Sequence, residues 1–360
     1  MSDSGGVIAW DLAERIAQRV GGREPLAESY HYASLQPDFD ELTAQAEELV
    51  GEATGLRSLA GPARARVTDR AGWVRANVAS FQRMLAPLTS KLEPRIATSP
   101  LAPISRRVTG TQLGLLLGWM STRVLGQYDL LLIEEERPED QDMVYYVGPN
   151  VLALEKRFGL PPREFRLWLA LHEVTHRAQF TGVPWMREYF LSLVEGGLGS
   201  IDPDPRRLLE ALRRAVGEIR AGRNPLAESG LLGLVTGDEQ HANLQKIQGL
   251  MSLLEGHGDV TMDRAGADRI PSAERFGRLL RERRASTRGP AKVLQQLVGL
   301  EAKLRQYEQG ERFIAAVEAA GGPDLLDRAW RGPEWLPDIA EIRDPGRWIG
   351  RVQADAAVAR

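Results

Sequence analysis

Apolar positions recur at helical spacing along most of the chain, so helix is the predicted state nearly throughout. Asp11-Leu12-Ala13-Glu14 reads as a capping box opening a helix that stops at Gly21-Gly22. Helices are expected near 38–53 and 68–86, the second with a stripe of Trp73, Val74, Val78, Phe81 and Leu85, and Pro87 is expected to end or kink it. The Pro/Ser-rich stretch 93–105 reads as an internal loop. Gly110, Gly114 and Gly118 share one helical face, where a second backbone can approach closely. Two short apolar runs, 128–133 and 143–147, flank an acidic turn and predict a small β-hairpin, ended by Gly148-Pro149. Helical patterning resumes at about 151–158, 162–181, 184–200, 203–221, 238–263, 272–287, 290–320 and 323–330. From Pro333 the chain alternates proline, tryptophan and charge, which suggests a tail wrapping the surface. No internal repeat is present. The expectation is a predominantly helical α+β protein in one domain over 1–360, with a helical part at about 1–100, a core at about 104–320 and a surface tail at about 333–360.

Composition narrows the partners. With 43% hydrophobic and 26% charged residues, the chain is that of an ordinary soluble domain. A net charge of -3 over 360 residues gives no electrostatic reason to expect nucleic acid or an anionic membrane. The longest apolar stretch, 113–120, is too short to span a bilayer. The N-terminus lacks the basic start and apolar run of a signal peptide, so the expected location is cytoplasmic. Cysteine is absent, which leaves His, Asp and Glu as the available metal ligands.

Those ligands appear in the helix predicted from Pro162. Its residues from Phe165 to Leu171 are apolar on nearly every face, the mark of a buried helix. It then reads His172-Glu173-Val174-Thr175-His176. Histidines four apart lie about 40° apart around a helix axis, so both imidazoles can reach one tetrahedral Zn²⁺. Glu173 is offset from His172 by about 100°, where it can reach a water on the metal without being a ligand. Zinc lowers the pKa of such a water to about 7, and the carboxylate can take its proton and later deliver it to a leaving group. With 5 histidines in the chain, this spacing is expected by chance only about 0.005 times.

A catalytic zinc wants a third protein ligand, and the candidates lie in Glu255-Gly256-His257-Gly258-Asp259. Glu255 and His257 are about 200° apart on a helix, so only one can face the metal. Asp259 shares the face of Glu255 one turn on, and could accept the free N–H of a ligating histidine. That favours Glu255, with His257 as the alternative. Gly256 and Gly258 would permit close approach to the metal helix, at about 1 kcal/mol each in helix stability.

These segments together resemble the gluzincin arrangement, in which a downstream glutamate is the third ligand and an aspartate one turn later supports a histidine. More closely, the chain resembles a zincin-like family of actinobacteria whose members are described as candidate zinc metallopeptidases. One branch is associated with biosynthesis of a deazaflavin coenzyme. The resemblance extends to Ile8-Ala9-Trp10-Asp11, Tyr146-Val147-Gly148-Pro149-Asn150, Gln179-Phe180 and the stretch from Gly299 to Gly310. It implies a zincin-like α+β fold with much added helix. Where related branches carry Trp after Glu-Gly, this chain has His257.

Hydrolysis also needs a donor for the developing oxyanion. Tyr307 is the first candidate because it lies among polar residues, with Tyr189, His241 and His257 behind it. His31 reads as an ordinary surface histidine, and Asp238, Glu239 and His241 as a solvated helix start. In zincins a strand edge commonly aligns an extended peptide, a role Met143–Val147 could fill. The expected function is a zinc metallohydrolase acting on a peptide or other amide. The competing readings are a zinc-stabilised helical scaffold or partner-binding protein, and a hydrolase of a non-peptide bond in cofactor metabolism. Oligomeric state is not legible in the sequence.

Overall fold

The computed structural model describes residues 6–24, 26–128, 142–199, 238–285 and 300–358. They form a mostly helical α+β architecture with one three-stranded sheet, as expected. In chain order the elements are α1 (Trp10–Gly21), α2 (Tyr30–Ala33), α3 (Leu35–Thr54), β1 (Arg64–Thr68), α4 (Arg70–Ala97), α5 (Ala102–Ser121), β2 (Gly126–Tyr128) and β3 (Met143–Val147). There follow α6 (Gly148–Phe158), α7 (Pro162–Gly182), α8 (Met186–Gly199), α9 (Asp238–Gly266), α10 (Ala273–Ala285), α11 (Leu300–Gly321), α12 (Pro323–Leu326), α13 (Ile339–Arg343) and α14 (Pro345–Val358). Two compact units result, Met1–Gly182 with Thr261–Leu279, and Val183–Val260 with Leu280–Arg360. The expected helix at 203–221 and residues 129–133 of the expected first strand lie outside the described residues.

In the first unit the sheet order is β1-β3-β2. β3 runs parallel to β1, Arg64 opposite Met143, and antiparallel to β2, Gly126 opposite Tyr146. All five β3 residues are buried, so it reads as the continuous apolar run of a central strand. Two sequence expectations change here. β3 has a neighbour on each side and cannot be the substrate-aligning edge. β1 was not anticipated because Arg-Ala-Arg-Val-Thr buries only Ala65 and carries little strand signal.

The three glycines of α5 behave as expected. A Cβ at Gly110, Gly114 or Gly118 would lie 2.5 Å from Ala9 O, Ala13 O or Val20 Cβ, so α5 and α1 meet backbone to backbone. The capping box does not form: α1 begins at Trp10 after an uncapped Ala9, and Asp11 already sits in the first turn. There its charge complements the positive end of the helix. α4 continues through Pro87 and Pro94 to Ala97, taking up part of the expected loop. Arg83 and Ser90, one turn before each proline, are both exposed, so water can reach their carbonyls. α3 packs along α7 and stacks Phe39 on Tyr146 at 3.8 Å.

In the second unit Phe313, Ile314 and Val317 of α11 are buried together with Leu325, Leu326, Ile339, Ile342, Trp348 and Val352. The segment read as a surface tail is therefore helical and part of a core. Trp348 lies edge-on to Phe313 at 5.4 Å and donates from Nε1 to Trp335 O at 2.7 Å. Asp338 and Glu341 form a full capping box at the start of α13. Its apolar residues sit at helical spacing, a signal hidden between Pro337 and Pro345.

Candidate metal centre

The helix α7 is held by apolar burial and by two buried arginines. Phe165 and Trp168 pack against Phe276 of α10 at 5.3 and 6.0 Å. Arg166 makes a bidentate pair with Glu155 of α6, at 2.8 and 2.9 Å, and also bonds Asp38 of α3. Arg177, only 1% exposed, donates to Asp142, to Glu47 Oε1 at 2.6 Å and to Gly61 O at 2.7 Å. From Phe165 to Phe180, the two residues that are not buried are His172 and His176. The helix thus seals every side but the one bearing the imidazoles.

Those rings lie edge-on, 4.5 Å between centroids, with the two Nε2 atoms 3.1 Å apart. Two tetrahedral zinc–nitrogen bonds of about 2.0–2.1 Å would set them about 3.3 Å apart, so the spacing fits a shared ion. His176 Nδ1 lies 2.9 Å from Gln179 Oε1. With the Nδ1 proton donated to that oxygen, Nε2 presents its lone pair. Gln179 was missed as a supporting residue; its signal is the i, i+3 spacing from His176. Glu255, the expected third ligand, is buried on α9 in the second unit. Two imidazole nitrogens and a carboxylate are a donor set suited to zinc.

Glu173 is buried and its Oε2 accepts the Tyr128 backbone N–H at 3.0 Å. Gly126 makes room for it: a Cβ there would lie 2.7 Å from the Glu173 Cγ and Oε1. β2 is in turn fixed by its side chains. Gln127 accepts from Trp73 Nε1 at 2.7 Å, and the Tyr128 hydroxyl donates to Asp142 Oδ1 at 3.1 Å. Asp142 itself takes a left-handed φ of 55°, held by Arg177. Burial pushes the Tyr146 hydroxyl well above its ordinary range, and the nearby Glu173 charge acts in the same direction.

Of the remaining candidates, His257 is buried and sits edge-on to Trp330 at 5.0 Å. Asp259 is half-buried on α9. Gly256 approaches α11, not the metal helix. Tyr307 lies in α11 and His241 in α9, with side chains outside the described residues, as are those of Asp238 and Glu239. Tyr189 is half-buried beside Trp185, and burial raises its hydroxyl pKa. His31 is exposed, its ring tilted against Tyr30 with centroids 3.9 Å apart. No described helix is long and apolar enough to cross a membrane.

A mostly helical α+β fold with His-Glu-x-x-His on a buried helix defines the zincin class. The family model for zincin-like metallopeptidases matches residues 8–349, and the chain belongs to that family. A crystal structure from Chloroflexus aurantiacus, described as a candidate hydrolase with a novel fold, is similar at 32% identity. The match covers 96% of this chain and 99% of that one, with a TM-score of 0.70. No protein of curated function matches the chain significantly. The family is one of hydrolases, and its type of site implies a metal.

Proposed function

We propose that the protein is a zinc-dependent hydrolase of a peptide or other amide bond. His172, His176 and Glu255 would hold the ion and Glu173 would move the proton. The observation that carries this reading is the pair of Nε2 atoms 3.1 Å apart on a buried helix, beside a glutamate aimed by the Tyr128 N–H. Bound zinc supplies a Lewis acid and a water acidified to a pKa of about 7. Glu173 follows His172 directly, and its carboxylate is aimed by the Tyr128 N–H, so a proton can be taken and returned at its Oε atoms. Gln179 fixes the tautomer of His176. Asp259 is assigned to the same support of a histidine, and Tyr307 to donating toward the developing oxyanion.

The test is metal content by elemental analysis together with turnover on a peptide library. About one zinc per chain is expected, with Glu173→Gln keeping the metal and losing cleavage. No zinc uptake from excess zinc would overturn the reading. A Glu173→Gln variant indistinguishable from wild type would leave a metal-stabilised scaffold in its place.

A further inference from the structure

Two glycines outside the ligand set lie where α9 meets α11. At Gly310 an added Cβ would fall 2.0 Å from Ser252 O and 3.0 Å from Gly256 Cα. At Gly256 it would fall 2.4 Å from Gly310 C and 2.7 Å from Glu311 N. Each helix therefore uses the other's missing side chain, and backbone rests on backbone. Both glycines sit inside long helices, where glycine is disfavoured and needs a packing reason. The clamped turn runs from Ser252 to Gly256, and Glu255 lies inside it, only 4% exposed. Glu255 is thus carried on the turn that Gly310 presses on.

We propose that the Gly256–Gly310 crossing positions Glu255 for the metal, making α11 part of the metal-holding apparatus although it supplies none of the proposed ligands. The inference rests on the zinc reading above. Metal–ligand distances tolerate shifts of only about 0.2 Å. A methyl at the crossing must drive the two backbones apart by more than that. The same helix carries an internal control. At Gly249, two turns earlier, an added Cβ would lie 2.4 Å from Pro337 O and 2.7 Å from Asp338 C, an insult of the same kind away from Glu255.

The experiment titrates zinc into full-length wild type, Gly310→Ala and Gly249→Ala, with melting temperature measured on each apo-protein. Gly310→Ala is expected to bind zinc about 10- to 100-fold more weakly, as supporting residues do. Gly249→Ala is expected to lose stability while keeping its zinc affinity. Hydrogen exchange on wild type provides a readout that needs no variant to fold. Zinc should slow exchange in peptides covering 309–314 as well as 252–257. Equal zinc affinity in wild type and Gly310→Ala, equal losses in both variants, or zinc protection that stops short of α11 would each overturn the proposal. A wild type that takes up no zinc would instead remove the zinc reading, and this inference with it.

Discussion

Helices α7 and α9 carry the three proposed ligands, and they are fixed by opposite means. α7 is held by side chains: apolar packing on nearly every face, and buried arginines at 166 and 177 on either side of the histidines. α9 is held around Glu255 by the absence of side chains, through backbone contact at Gly256. The first device leaves a sequence signature because it needs particular residues at particular spacings. The second leaves only glycines, whose partner cannot be read from the chain. One site can thus be half legible.

That contrast can be broken or sharpened experimentally. The largest expected effect is on metal: changing both His172 and His176 to Ala should reduce zinc content from about one per chain to none, whereas Glu255→Ala should leave weakened binding. Elemental analysis after dialysis separates the two outcomes. Glu173→Gln comes next, with cleavage of a peptide library expected to fall about 10²- to 10⁴-fold at unchanged zinc content. Arg177→Met tests whether side-chain anchoring holds α7. It strands Asp142 and Glu47 and should cost about 3 kcal/mol in urea unfolding, the lower end for broken buried pairs because both acids are partly exposed. Unchanged stability would show that apolar packing alone fixes the helix.

The smallest effect lies in α2, which packs on α3, the support of α7. The Tyr32 hydroxyl is pushed up to about 12, first by burial and then by the Asp69 and Glu24 charges. An unfolded tyrosine titrates near 10. The folded chain holds this proton to higher pH, so the contribution is complete below pH 10 and declines as pH rises toward 12. Melting temperature should fall across that window in wild type and less so in Tyr32→Phe.

The sequence yields α7, the spacing of its histidines and the close-packing glycine face of α5 because each is a local pattern of period and residue type. It does not yield β1, whose Arg64–Thr68 segment shows its strand character only beside β3. Gln179 lies in the family-like stretch, yet its bond to His176 becomes visible only once both side chains are placed. Asp142 escapes notice for a related reason, since its left-handed backbone depends on Arg177. In the C-terminal segment, prolines at 333, 337 and 345 mask short helices whose apolar faces find their partner in α11.

The strand order also bears on how the chain acquires its form in time. β1 leaves the ribosome long before β3, and its parallel partner arrives only after α4, α5 and β2 have been made. Pairing across so long a loop is slow, because closure entropy must be spent before any ladder bond returns it. Glu173 is made after residues 143–147, yet its carboxylate has no completed sheet to rest on until β1 has closed on β3. The unit that carries Glu173 is therefore expected to mature late, in the slowest phase of refolding.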